Sequence, residues 1–436
     1  MAARFKFRLR QLKHDLTSGM LFRPALISGT IALVGLALIE LEATGTLPRW
    51  DGGGWFFGND PGSAQAVLGA IAGSMMSVVS IVYSVLLVAL SLASVQFSPR
   101  ILGGFVRDRV SQRTLGVFLG TFVFCLLVMR ATRAEPAWVA TWAVAVGCLL
   151  GLACLVFLIY FLHHIATGIQ VNNLVDRIAT DTAAVMDDVG GAGAVAAVPP
   201  LPADAVAVEA TASGYLQLVD HEGLVALARR SGAIVHIAVE PGDYVAPGSA
   251  LAYLARPGAA SAAPLTTACR DAFDLGTVRT MQQDVGFGLR QLVDIALKAI
   301  SPAVNDPSTA GTCIDRLGSL LAALAVRPSG TRVIADGDAV RVVVPRPTFA
   351  DLVDLAFNQL RQYGRGDLAV SIRILGAIAA VARPCTAAQR APLRAHADLV
   401  RAGLSPAFLP ADRQRFDERY QRVVDALGPE TLADGA

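Results

Sequence analysis

The chain has 436 residues and a net charge of only +2; 54% of it is hydrophobic and 17% charged, where a soluble domain carries roughly 25% charge. That charge implies no polyanion partner, so no nucleic-acid partner is expected, and the composition excludes a chain that is water-soluble throughout. The apolar excess lies before His163, while the remainder has ordinary charge, so the expected fold class is an α-helical membrane protein (four transmembrane helices) with a cytoplasmic α+β region containing a small β module and a helical domain.

Residues 1–24 form a basic N-terminus, with Arg4, Lys6, Arg8, Arg10, Lys13 and Arg23. The apolar run 25–41 that follows is longer than the core of a signal peptide and has no A-x-A site after it, so an uncleaved first span is expected. Crossing the hydrocarbon takes about 20 apolar residues, which places the four-helix membrane domain over 25–164, with spans at 25–41, 64–97, 114–129 and 137–162. The third is short, with Arg113 and Arg130 placed to snorkel at its ends. The fourth carries Trp138 and Trp142 near one interface and Tyr160 near the other. Ten basic residues flank one side, the six above with Arg100, Arg107, Arg109 and Arg113; Arg49, Arg130 and Arg133 flank the other. The positive-inside rule then expects a bacterial inner-membrane protein, multi-pass, with both termini cytoplasmic and the lipid bilayer as its first partner.

The second span is unusual. Its uncharged run Ala64–Phe97 would be about 51 Å long as one helix, so it must tilt, break near Gly73 or project beyond the bilayer, and Ser98-Pro99 marks its expected end. At 100° per residue, Gly73, Ser77, Ser80, Ser84, Ser91 and Ser98 share an arc of about 60°. Gly69 and Ser94 flank it, and Met76, Val79, Val82, Val85, Leu86 and Val88 are expected on the other faces. Gly69 and Gly73 also form a GxxxG pair. Such a stripe suits close helix packing, with each hydroxyl bonded back to its own helix. It also suits a hydrated path lined by several copies of the helix, or a seam against a small membrane ligand. No Asp, Lys or Arg lies near the centre of any span, which argues against a proton-coupled carrier.

In the C-terminal half, 165–189 reads as a helical extension of the fourth span, 190–205 as a linker, 206–258 as the β module and 259–436 as a mainly helical domain with a hairpin near 332–345. The stretch "GAIVHIAVEPGDYVAPGSALAYL" alternates at period two around a Glu240–Asp243 turn. It resembles half of a barrel-sandwich hybrid, the fold of biotinyl and lipoyl carriers. It contains no lysine to carry such a group, so the resemblance implies a structural or contact module. Further on, Asp306 before Pro307 predicts a helix start, and Asn305, Asp306, Ser308 and Thr309 form a polar loop at that N-terminus, read either as an anion cradle or as a capped turn. In "RVIADGDAVRVVVP" the turn is expected at Asp336-Gly337, its strands pairing with the β module or with a neighbouring copy. Helices are expected at 349–363, 368–381, 387–402 and 411–427.

The segments "AIAGSMMSVVSIVYSVLLVALSLASVQFSPRIL", "GVFLGTFVFCLLVMR", "YFLHHIATGIQVNN" and "DVGFGLRQLVDIALKAISPAVNDPSTA" resemble, in order, a bacterial membrane family catalogued as domain of unknown function 2254. The resemblance covers nearly the whole chain, implies an integral inner-membrane protein, and supplies no catalytic residues. No P-loop, G-x-G-x-x-G, H-E-x-x-H or G-x-S-x-G motif is present, and the six cysteines show no CxxC spacing, so no enzyme activity, cofactor or metal is expected. His163 and His164 sit where the fourth span ends and are read as interfacial anchors. The expected function is an oligomeric, channel-like protein in which Gly73, Ser77, Ser80, Ser84 and Ser91 line or pack the second helix and the cytoplasmic half gates or assembles it. The alternative is a membrane-anchored scaffold or sensor whose cytoplasmic domain binds a protein partner or a small ligand.

Overall fold

A computed structural model describes residues 22–47, 60–96, 108–132, 138–168, 170–189, 198–255 and 262–429. The basic residues Arg4 to Lys13, together with Arg49, Arg100, Arg107 and Arg133, lie outside the described residues. So do Ser98-Pro99 and the linker positions 190–197. The chain divides into two compact units, one within residues 8–170 and one from Val171 onward.

The first unit consists of α1 (Phe22–Ala43), α2 (Pro61–Gln96), α3 (Arg109–Ala131) and α4 (Thr141–Gly168), each long and apolar enough to cross a membrane. Contacts fix their sense. A Cβ on Gly116 would lie 2.9 Å from Ile27, and one on Gly120 would lie 3.1 Å from Ser28 Cα, so α1 and α3 run parallel. Gln65 donates to the Thr132 carbonyl at 3.2 Å and Gly69 faces Met129, so α2 runs the other way. A Cβ on Gly147 would meet Leu68, and one on Gly151 would meet Ile71, which sets α4 parallel to α2. The four helices therefore alternate in direction, and the start of α1 and the end of α4 share one end of the bundle.

Two expectations are corrected. The third helix begins at Arg109, five residues before 114, because Asp108 caps it: its carboxylate accepts the Ser111 amide at 2.8 Å and the Ser111 hydroxyl at 2.6 Å. A polar first turn is invisible to hydropathy but entirely helical. The second span does not break at Gly73; α2 is one helix of 36 residues, about 54 Å long.

The second unit opens with α5 (Val171–Val189), which packs on two later helices of its own unit. The expected extension 165–189 is thus two helices, interrupted after Gly168. Next come β1 (Val206–Glu209), β2 (Gly214–Val219), α6 (His221–Ser231), β3 (Ile234–Ile237), β4 (Tyr244–Val245), β5 (Ala250–Ala255), α7 (Ala262–Arg270) and β6 (Phe273–Gly276). The chain continues through α8 (Val285–Ala299), α9 (Pro307–Ala325), β7 (Arg332–Asp336), β8 (Ala339–Val344), α10 (Phe349–Gly364), α11 (Leu368–Ala382), α12 (Ala387–Ala402) and α13 (Pro410–Leu427).

The β module does not close at residue 258. One sheet has the order β1-β5-β3-β8-β7 and the other β4-β2-β6. The hairpin therefore joins the module of its own chain, through a parallel pair between β3 and β8, and β6 is supplied from beyond the expected boundary. The hairpin loop is Gly337-Asp338, one residue later than expected, since Asp336 pairs with Ala339 and Gly337 takes the positive φ of 62°. Leu216, Leu224, Val235, Leu251, Leu254, Cys269 and Val342 form the core between sheet and helices. The helices start where short polar side chains cap them. Asp284, Asp306 and Asp367 each accept an amide three residues on, and Thr348 and Thr386 each form a reciprocal capping box.

Candidate functional site

The buried face of α2 is Ala64, Leu68, Ala72, Met75, Val79, Val82 and Ala89, a seam of steps of three and four. Gly73, Ser77, Ser80, Ser84 and Ser91 are all exposed and lie roughly opposite that seam at 100° per residue. The stripe thus points away from its own bundle. Met76 and Val88, expected on the other faces, are exposed beside it with Ile81 and Leu87. Among the described residues the stripe is left uncovered, and nothing lies within 4 Å of a Cβ placed on Gly73. Among the described residues, the close-packed GxxxG pairs of this unit are Gly116 and Gly120 on α3 and Gly147 and Gly151 on α4, while Gly73 has open space.

The hydroxyls spend their protons locally. Ser77 donates to the Gly73 carbonyl at 3.4 Å, Ser80 to Met76 at 3.1 Å and Ser84 to Ser80 at 2.9 Å. With the proton engaged, each oxygen still presents lone pairs outward. The outer surface of α2 is therefore an apolar helix bearing a line of acceptors.

At the end of this unit where α3 starts and α4 finishes, His164 Nε2 lies 3.1 Å from Asp108 Oδ1. Burial works against the ionised form of Asp108, but the Ser111 hydroxyl and amide and the His164 ring outweigh it and hold its carboxyl below the usual range. His164 is thus tied to a neighbouring helix, a role its sequence position alone did not suggest.

In the second unit, Asp306 accepts the Thr309 amide at 3.0 Å and its hydroxyl at 2.6 Å. These bonds hold its carboxyl below the ordinary value. That carboxylate fills the place a bound anion would take, with Ser308 exposed at the rim. Asn305 adopts φ of +50°, the one non-glycine residue in the left-handed region among the described residues, and its amide donates to the Ser301 carbonyl.

A tighter constellation was missed in the sequence. Arg279 donates to Asp284 Oδ2 at 2.7 Å, and the turn Glu240–Asp243 packs on this pair: a Cβ on Gly242, which has φ of +99°, would come 2.1 Å from Asp284 Oδ2. Burial, then Asp243, Asp351 and Asp284, raise the pKa of Glu240. Burial also raises that of Asp284, with Arg279 opposing it. The visible signal was the PGD turn; its partner lies some forty residues on. Among the described residues, no three His, Cys, Asp or Glu side chains are placed to hold a metal. Burial pushes the thiols of Cys269 and Cys313 up to about 12, which leaves them unreactive.

The family described as "Predicted membrane protein (DUF2254)" matches residues 17–380, more than half of the chain. The chain belongs to the DUF2254 family. Two similar proteins are one of Mycobacterium bovis, uncharacterized protein Mb1321c, and one of Mycobacterium tuberculosis, uncharacterized protein Rv1290c. Each is 35% identical over 342 residues, covering 76% of this chain and 66% of the relative. The chain thus spans just under two thirds of the length of these relatives. No solved structure matches it significantly.

Proposed function

We propose that this DUF2254 protein is an integral protein of the bacterial inner membrane that works as a homo-oligomer, with several copies of α2 meeting along the Gly73–Ser91 stripe to line a polar, channel-like path. The observation that carries the reading is the direction of the stripe. Over some five turns of helix its hydroxyls face away from the core of their own unit, where lipid or another copy can meet them. Lipid gains nothing from a line of acceptors, whereas water and cations do, because hydroxyl oxygens can replace part of a hydration shell without fixing charge. Both termini and the second unit lie in the cytoplasm in this reading, where the second unit gates or assembles the pore, and no chemical reaction is assigned.

The test is ion and small-solute flux through the purified full chain in liposomes, beside Ser84→Leu. Ser84 is exposed on its helix, so the variant is expected to fold and assemble yet lose most of the flux. Flux unchanged in Ser84→Leu removes the pore from this face. No flux at any pH, potential or membrane tension favours the scaffold or sensor reading, with a partner to be sought on the second unit.

A further inference from the structure

Side-chain pairs fix the sense of every helix in the second unit's bundle. Asp176 pairs with Arg316 and Asp187 with Arg327, so α5 and α9 run parallel. Arg373 pairs with Asp315, and a Cβ on Gly318 would lie 3.1 Å from Ala377 Cβ, so α11 runs with them. Gln389 donates to the Ala325 carbonyl at 3.0 Å, which places the start of α12 beside the end of α9. Tyr420 donates to Asp398 at 2.5 Å, and Arg401 lies 3.7 Å from Asp417, so α13 returns antiparallel to α12. Gly364, the last residue of α10, packs on Ile300 and Val370.

One end of the bundle therefore collects the starts of α5, α9, α11 and α13 and the finishes of α8, α10 and α12. Three connections lie there, and an exposed apolar side chain stands at each: Val304 at 47%, Tyr363 in the last turn of α10 at 72%, and Leu409 at 68% of full exposure. Lys298 and Arg365 are exposed beside the first two. The nearby acids Asp306 and Asp367 are turned inward onto the amides of Thr309 and Val370, and beside Leu409 the half-buried Asp412 is followed by the exposed Arg413. The face is apolar at its tips and cationic around them, the pairing that favours an anionic lipid interface.

Chain connectivity supplies an independent argument. Only two residues separate Gly168, where α4 ends, from Val171, where α5 begins, and three peptide steps reach about 11 Å at most. The chain thus enters the second unit at this same end, two residues in sequence after a helix that, in the reading above, crosses the bilayer.

We propose that this end of the bundle rests on the lipid headgroup surface, with Val304, Tyr363 and Leu409 reaching into the interface and Lys298 and Arg365 meeting anionic headgroups. The proposal rests on the membrane reading but not on a pore. Its test uses the full chain, with Cys148→Ala to remove the one half-exposed thiol, in vesicles of phosphatidylcholine and phosphatidylglycerol. Nitroxides are placed singly at Val304→Cys, Tyr363→Cys and Leu409→Cys, at Val326→Cys on the opposite end of the bundle, and at Ile159→Cys on the exposed face of α4. The three tip labels are expected to lose accessibility to aqueous nickel relative to Val326→Cys, and to regain it when Lys298→Glu and Arg365→Glu are added. Tip labels as open to nickel as Val326→Cys, with Ile159→Cys still in lipid, would overturn the proposal and leave the membrane reading standing. An aqueous Ile159→Cys label would overturn both.

Discussion

Gly242 shows how much one position can carry. Its φ of +99° suits glycine, and its bare Cα lets the Glu240–Asp243 turn settle on the Arg279–Asp284 pair. The settling crowds carboxylates, and Glu240 bears the strain, because burial and then Asp243, Asp351 and Asp284 raise its pKa above the ordinary 4.5. A raised folded value means that the group's contribution is fully present below 4.5 and is lost as the pH rises through the folded pKa. Glu240→Gln is therefore expected to raise the thermal unfolding temperature at pH 7 and to change nothing well below pH 4.5. The gain is less than about 1 kcal/mol, since the carboxylate is only half-buried and screened by solvent. A variant that melts lower than the wild type at pH 7 would show that the carboxylate serves a partner. Much at this scale was legible beforehand: Asp306 before Pro307 announced a helix start because a short acceptor side chain can only satisfy an amide nearby. The partner of His164 was not, because Asp108 stands 56 residues away in sequence and meets it only after two helices pack.

Among elements, the helices were the readable part. Those expected at 349–363, 368–381, 387–402 and 411–427 differ from α10 to α13 by at most one residue at either end, since α10, α11 and α12 carry their own side-chain caps, α13 starts at Pro410, and each has its own apolar period. The sheet was not readable in this way, because strand order is set by residues far apart in sequence. Helix contacts in the first unit turn on glycine, and sequence alone drew attention to the wrong pair. A Cβ on Gly120 would come 2.6 Å from Ile31 Cδ1, and one on Gly116 would come 3.0 Å from Pro24 Cα, while Gly73 has open space. Gly120→Leu is expected to force α1 off α3 and cost about 1–3 kcal/mol by overpacking, read as a lower melting temperature in detergent. Gly73→Leu is expected to leave that temperature unchanged and to reduce the oligomer mass measured by light scattering. Loss of stability in Gly73→Leu, with assembly intact, would count against an assembly that uses this face.

For the molecule as a whole, hydropathy alone marked out the apolar region, because desolvation of a long helix is a property of local composition. The organisation of the second unit needed the structure. Its larger sheet depends on Val235 pairing with Val342 and His236 with Val343, strands separated by more than a hundred residues. A chain ended after Thr331 is expected to leave β3 with a bare edge and to aggregate in detergent in place of yielding a smaller folded protein. Recovery of that truncated chain as a dispersed, folded protein would show that β1, β3 and β5 suffice. The same pairing sets a schedule for synthesis. At about 5–20 residues per second the ribosome takes roughly 5–20 s to pass from β3 to β8. During that interval the four long apolar helices have already emerged and the half-built sheet has no mate for its edge. A nascent chain of this family thus has a window of vulnerability, and any holdase that guards it is needed before the last hundred residues exist.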